Sequence, residues 1–197
     1  MRVYIDDTQL DNADNVEHAI DLARAHIEDQ PRLIIDILAD GEPATQEHLE
    51  NPGAVIGEIR FTTTETGAFL TETVHTAKDS LKLLHDDQST CADQLRKGEL
   101  ESAMQTLGAI MDTWQAVRDV IAQVAHLAEI EIGTLQIDDQ TGAELTKGLS
   151  DALTEVRESL QTQDWATLGD VVEYDLQTHA TRWSKLLDTM IEHTQNV

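Results

Sequence analysis

The chain is poor in cysteine, aromatics and lysine, and each shortage removes a class of protein. Cys91 stands alone, so no intramolecular disulfide can form, and a reducing compartment fits. Aromatics are 4% of the residues, so the core must be mainly aliphatic. No apolar run approaches the roughly 18 residues that a membrane span needs. No apolar stretch follows Arg2 as it would in a secretory leader. Only 13 residues are basic, five of them Lys, against 38 acidic ones, 21 of them Asp, for a formal net charge of −25. Such a surface repels nucleic-acid phosphates and anionic lipid headgroups, so neither nucleic acid nor membrane is expected as a partner. A Gly-rich phosphate loop, a nucleophile elbow and a Cys-x-x-Cys pair are all missing. The expected location is the cytoplasm. The acidity serves solubility, adaptation to salt, or a basic partner.

What is present is periodicity. Forty per cent of the 197 residues are apolar, and they recur at regular spacing rather than at random. Arg2 to Asp6 reads as a strand. Asp14 can cap a helix from about Asn15 to Asp29, which Pro31 stops. Arg32 to Ala39 and Val55 to Thr63 read as two further strands, with Asp40-Gly41 as a turn and Pro43 and Pro52 bracketing a link. If strands one and two pair directly, the helical crossover makes them parallel.

From Gly67 the spacing changes. Leu70, Val74, Ala77, Leu81, Leu84, Cys91 and Leu95 keep a 4-3 rhythm broken only at Gln88, and Gly98 ends that helix. A second helix carries Leu100, Met104, Leu107, Met111, Trp114, Val117, Ile121, Val124 and Ala128. Ile130 to Asp139 reads equally as a short strand or an irregular end. Thr141 opens a third helix and Asp164 caps a fourth, which carries Trp165, Leu168, Val172, Leu176, His179, Trp183, Leu186 and Met190. Trp165 and Trp183 are expected as core anchors. Leu95 to Ala103 echoes Leu160 to Leu168, each marking a tight joint between amphipathic helices. The expected fold is therefore α+β. A small β-α-β-β domain, residues 1–65, precedes a mainly antiparallel four-helix bundle, residues 66–197.

Chemistry-bearing residues are sparse. A carboxylate-bridged di-metal bundle needs two Glu-x-x-His pairs, and Glu72-Thr-Val-His75 supplies one. Asp175 and His179, four apart on a helix, can face each other as a general base or as half a metal site. Equally, they form a hydrogen-bonded structural pair. His126, His18 and His26 have no partner motif, and Cys91 sits on the core stripe. No catalytic residue, cofactor or metal site is assigned; Glu72, His75, Asp175 and His179 are the candidates.

The Asp164-Trp165, Asp170 and Glu173-Tyr-Asp-Leu176 landmarks, followed by Trp183, resemble the C-terminal segment of a family of uncharacterised acidic bacterial helical proteins. Their pattern reads Leu-Ala-Asp-x-Leu-Glu-Tyr-Glu-Leu, with Ala where this chain has Gly169, which loosens the helix. The resemblance carries no activity to any residue. A more distant likeness, in size, acidity and helical hairpins, is to the cytoplasmic export chaperones of flagellar and type III systems. The leading expectation is a non-enzymatic adaptor or chaperone-like protein of the bacterial cytoplasm, binding a basic or amphipathic protein. The alternatives are a small metal-dependent enzyme with its site near Asp175 and His179, and an acidic mimic of nucleic acid. Oligomeric state is not legible.

Overall fold

The computed structural model describes residues 1–50 and 56–194, and its class is α+β. By contact the chain divides into two compact units, Met1–Phe69 and the residues from Leu70 on.

The first unit is a five-stranded sheet with a helix on one face. β1 (Arg2–Ile5) and β2 (Thr8–Gln9) form a hairpin that turns at Asp6, whose φ is +48°. α1 (Val16–Ile27) follows, then β3 (Arg32–Ala39), β4 (Glu42–Pro43), the short α2 (Gln46–Glu50) and β5 (Glu58–Glu65). The order across the sheet is β2-β1-β5-β3-β4. The expected β-α-β-β succession is present, but strands one and two are not neighbours. β5 lies between them, parallel to β1 and antiparallel to β3. Alternation shows that a strand has a buried face and is silent about its neighbours, which is why the pairing condition fails. The third strand starts at Glu58; Pro52 and Val55 fall outside the described residues. The helix cap also differs by one position. Asn15, rather than Asp14, accepts the His18 N–H at 2.8 Å.

An Ile-rich strand such as β3 cannot alternate cleanly. The register shifts between Ile34 and Asp36, leaving Ile35 half exposed and returning Ile37 and Ala39 to the side of Phe61 and Ile59. Val3, Ile5, Val16, Ala19, Ala23, Ile59 and Phe61 form this unit's core.

The second unit is made of long helices. α3 (Thr66–Lys97) and α4 (Leu100–Leu127) meet at Gly98. The Ile130 to Asp139 stretch resolves into a single 3-10 turn, Ile132–Thr134, and a miniature hairpin, β6 (Gln136–Ile137) with β7 (Gln140–Thr141). Thr141 then opens α5 (Gly142–Thr162) with a reciprocal capping box to Glu144. Asp164 caps α6 (Trp165–Asp170) by accepting the Thr167 N–H at 3.1 Å. The fourth helix was expected to be continuous. It is interrupted instead by a π-helical turn, Val171–Asp175, before α7 (Leu176–Thr194).

The π turn has a reason in the packing. Ala103 and Leu107 of α4 recur 65 residues later as buried Leu168 and Val172. Beyond the turn the offset is 66: Ile110, Trp114, Val117, Ile121, Val124 and Ala125 correspond to Leu176, Ala180, Trp183, Leu187, Met190 and Ile191. One extra residue would rotate everything after it out of the core by about 100°. A single wide turn absorbs it and keeps the stripe in phase. The two hairpins are thus repeats of one plan, as the echo around Gly98 and Gln163 suggested.

Both joints close the same way. Glu99 N–H donates to Gln94 O at 2.9 Å, and Asp164 N–H donates to Ser159 O at 2.9 Å, the long bond of a Schellman motif. The left-handed residue is Gly98 in one joint, with φ +76°, and Gln163 in the other, with φ +56°. A side chain in that conformation costs about 1–2 kcal/mol, and glycine's extra chain entropy returns about half of it. Gln163→Gly is therefore expected to stabilise the protein by about 0.5–1 kcal/mol, measured by urea unfolding. A loss of stability would show that the Gln163 side chain makes a compensating contact.

Among the described residues, no helix is long and apolar enough to cross a membrane.

Candidate functional site

α3 and α7 run antiparallel and are tied along their length. Thr71 and Thr194 hydroxyls meet at 3.0 Å, Lys78 pairs with Asp188, Gln177 Nε2 donates to Ser89 Oγ at 3.2 Å, and Arg96 pairs with Glu173. Between the middle ties the two helices leave a cavity of 360 Å³. Leu81, Gln88 and Ala180 form its buried floor. Gln177 and Ser184 are half-buried walls, and Lys82, His85, Thr181 and Lys185 stand at the exposed rim. Both rim lysines are engaged, Lys82 with Asp79 and Lys185 with Asp138.

Gln88 is the unusual member. It occupies a core position of α3, is 0% exposed, and neither its Oε1 nor its Nε2 has a hydrogen-bond partner. An unpaired buried amide atom costs about 1–3 kcal/mol, and buried polar groups are almost always paired. At the matching point of the second hairpin, 65 residues on, stands Leu153, packed against the same core. An apolar side chain is thus what this position takes when it serves packing alone. The π turn ends one residue before α7 begins, so Gln177, Ala180 and Thr181 reach the cavity from the first turns after it. Such turns often mark functional positions in helices.

The residues singled out in the sequence lie elsewhere. Glu72 and His75 are both exposed on α3. Asp175 is exposed at the end of the π turn, and His179 is half buried on α7. Gln177 is tied to Ser89, so His179 stands about 20 Å along α3 from His75 and the two pairs do not meet. Among the described residues, no three His, Cys, Asp or Glu side chains converge as a metal site would require. His126, His18 and His26 are exposed. Cys91 is buried, donates to Ala103 O at 3.5 Å, and has its thiol pKa pushed up to about 11 by desolvation, which makes it unreactive.

His179 is a packing residue with an electrostatic consequence. Its Nδ1 is buried without a partner, so the hydrogen bond to Asp175 is absent at that atom. Its ring lies over Gly148, where an added Cβ would sit 2.9 Å from Cε1. Burial lowers its pKa first, Arg182 lowers it further, and Asp175 raises it in part. Folding therefore favours the neutral ring. Below the ordinary value of 6.5, the unfolded chain binds a proton that the folded chain resists. Stability should therefore be intact above pH 6.5 and decline as pH falls toward the lower folded value. His179→Gln should flatten that decline below pH 6.5, followed by urea midpoints. An unchanged slope would assign the dependence to another group.

The sequence showed one sign of the cavity, the break in the α3 stripe at Gln88, and it attracted no function there. The cavity offers the Gln88 and Gln177 amides, the Thr181 and Ser184 hydroxyls and apolar walls, with the His85 imidazole at its rim. Comparison with known proteins gives one family: the model described as Domain of unknown function (DUF8042) matches residues 72–186, which span the cavity and the π turn. No curated protein and no solved structure matches the chain.

Proposed function

We propose that this chain, which belongs to the DUF8042 family, is a non-enzymatic adaptor or chaperone-like protein of the bacterial cytoplasm that binds a basic, amphipathic segment of another protein. The observation that carries this reading is one face of α3. Leu83 is 70% exposed there, with Asp86 and Asp87 one turn after it. A partner helix with an apolar residue over Leu83 and cations over the aspartates would meet both kinds of group. The molecule's own cations do not offset its acidity. Arg2, Arg32, Arg60, Lys78, Lys82, Arg96, Lys147 and Lys185 are already in ion pairs, among 13 basic residues against 38 acidic ones.

The test is calorimetric titration of the full chain with a helical Leu/Lys peptide. Saturable binding is expected, weakened at least tenfold by Leu83→Asp even though that change adds negative charge. Equal or tighter binding to Leu83→Asp would reduce the interaction to unspecific attraction and overturn the reading. The same excess charge predicts that the melting temperature rises between 0.1 and 1 M chloride, as the Debye length falls from about 10 to 3 Å. A flat or falling response would mean that bound cations or internal pairing with the 13 basic residues already offset the surface.

A further inference from the structure

The geometry points to the α3–α7 cavity as a binding site for a small uncharged molecule that presents a hydrogen-bond donor and acceptor side by side, as a lactam or a pyrimidine edge does. This inference is independent of the adaptor reading, because the cavity is on a different set of side chains from the face around Leu83.

The ligand class follows from Gln88. Its amide offers a donor and an acceptor at one end of the side chain; both are unmet and buried in an otherwise apolar floor, so a ligand reaches them as the side chain turns outward into the cavity. A carboxylate would accept from Nε2 and leave Oε1 unpaired. An ammonium would do the reverse. Only a group with both functions on adjacent atoms satisfies the amide with two parallel hydrogen bonds. Charge argues against an anion. The rim lysines are neutralised by Asp79 and Asp138, and the chain's net charge of −25 opposes entry of an anion. Leu81 and Ala180 give the ligand body an apolar bed, while Gln177, Thr181 and Ser184 supply polar contacts above it. The volume of 360 Å³ falls in the range of small-ligand pockets, about 300–1,000 Å³.

The experiment is an NMR titration of the isotopically labelled full chain with uracil and with valerolactam. N-methylvalerolactam serves as the control, since it keeps the body and carbonyl but loses the donor. Expected are saturable shifts of the Gln88 side-chain amide, and at least tenfold weaker binding of the N-methyl compound. Gln88→Leu should bind at least tenfold more weakly while melting no lower than the parent protein, because it removes the unpaired amide. If Gln88→Leu does not fold, Ser184→Phe plugs the cavity from its half-exposed wall and should abolish the same shifts. The proposal is overturned if neither probe saturates, if the N-methyl control binds equally, or if the folded variants bind as the parent does. An ordered water found pairing the amide, undisplaced by either probe, would overturn it as well.

Discussion

Replacing Trp183 by Ala is expected to cost about 3–5 kcal/mol of unfolding free energy. Trp183 is 3% exposed and stands edge-on to Trp114, with ring centroids 5.7 Å apart and planes at 89°. That geometry adds about 0.5–1.5 kcal/mol to the burial itself. In a chain with so few aromatics, the pair joins α4 of one hairpin to α7 of the other, so the cavity left by Ala cannot be filled from nearby. Trp183→Phe separates packing from polarity. The indole Nε1 of Trp183 has no partner, nor has that of Trp114, so Phe removes an orphan donor while keeping most of the ring. Its cost should be below about 1.5 kcal/mol. Guanidinium unfolding of both variants decides the matter. An Ala variant losing less than about 1 kcal/mol would place Trp183 outside the core. Trp165 was expected as an equal anchor, but it is half buried at the start of α6 beside Leu95 and Arg96. Its truncation should cost clearly less than that of Trp183.

The difference between these two tryptophans shows what the sequence can and cannot say. Each falls on the apolar stripe, and a stripe gives direction but not depth. Periodicity placed the helices well because their buried positions recur at fixed spacing over many turns, and Gly98, Thr141 and Asp164 mark ends by backbone chemistry that is local. Neighbourhood is not local. The position of β5 between β1 and β3 depends on which strand offers two usable edges, and alternation carries no such information. The π turn was visible only as a drift of one residue between two hairpins, which needs the burial of both to read. Asp175 ends the π turn and His179 follows it in the first turn of α7. His179 turns its ring over Gly148, and a glycine in another helix leaves no trace in the spacing of α7. Gln88 was legible as a break in the stripe. That the break faces a cavity depends on the small side chain of Ala180, nearly a hundred residues away.

Gly142 gives the second large effect, and here the local reading and the structure predict opposite signs. By helix propensity, glycine in a helix is about 0.8–1 kcal/mol worse than alanine, so Gly→Ala should stabilise. That holds at Gly108, within α4, where an added Cβ meets nothing within 4 Å. Gly108→Ala is expected to gain about 0.5–1 kcal/mol. At Gly142, the first residue of α5, the loop from Glu131 to Thr141 folds back over the helix start. The Gly142 N–H donates to Leu135 O at 2.9 Å, and a Cβ would lie 2.0 Å from Ile132 O. The obstacle is main chain, so it cannot rotate away as a side-chain tip can. Gly142→Ala must displace the 3-10 turn Ile132–Thr134, at a cost of about 1–3 kcal/mol by the usual scale of overpacking, and at the upper end because of the backbone contact. Urea unfolding of the two variants side by side reads the sign directly. If Gly142→Ala stabilised the protein as Gly108→Ala does, the loop would not be docked on α5. The Lys185–Asp138 pair that this loop carries to the cavity rim would then be lost with it, leaving Lys185 free to attract an anionic ligand.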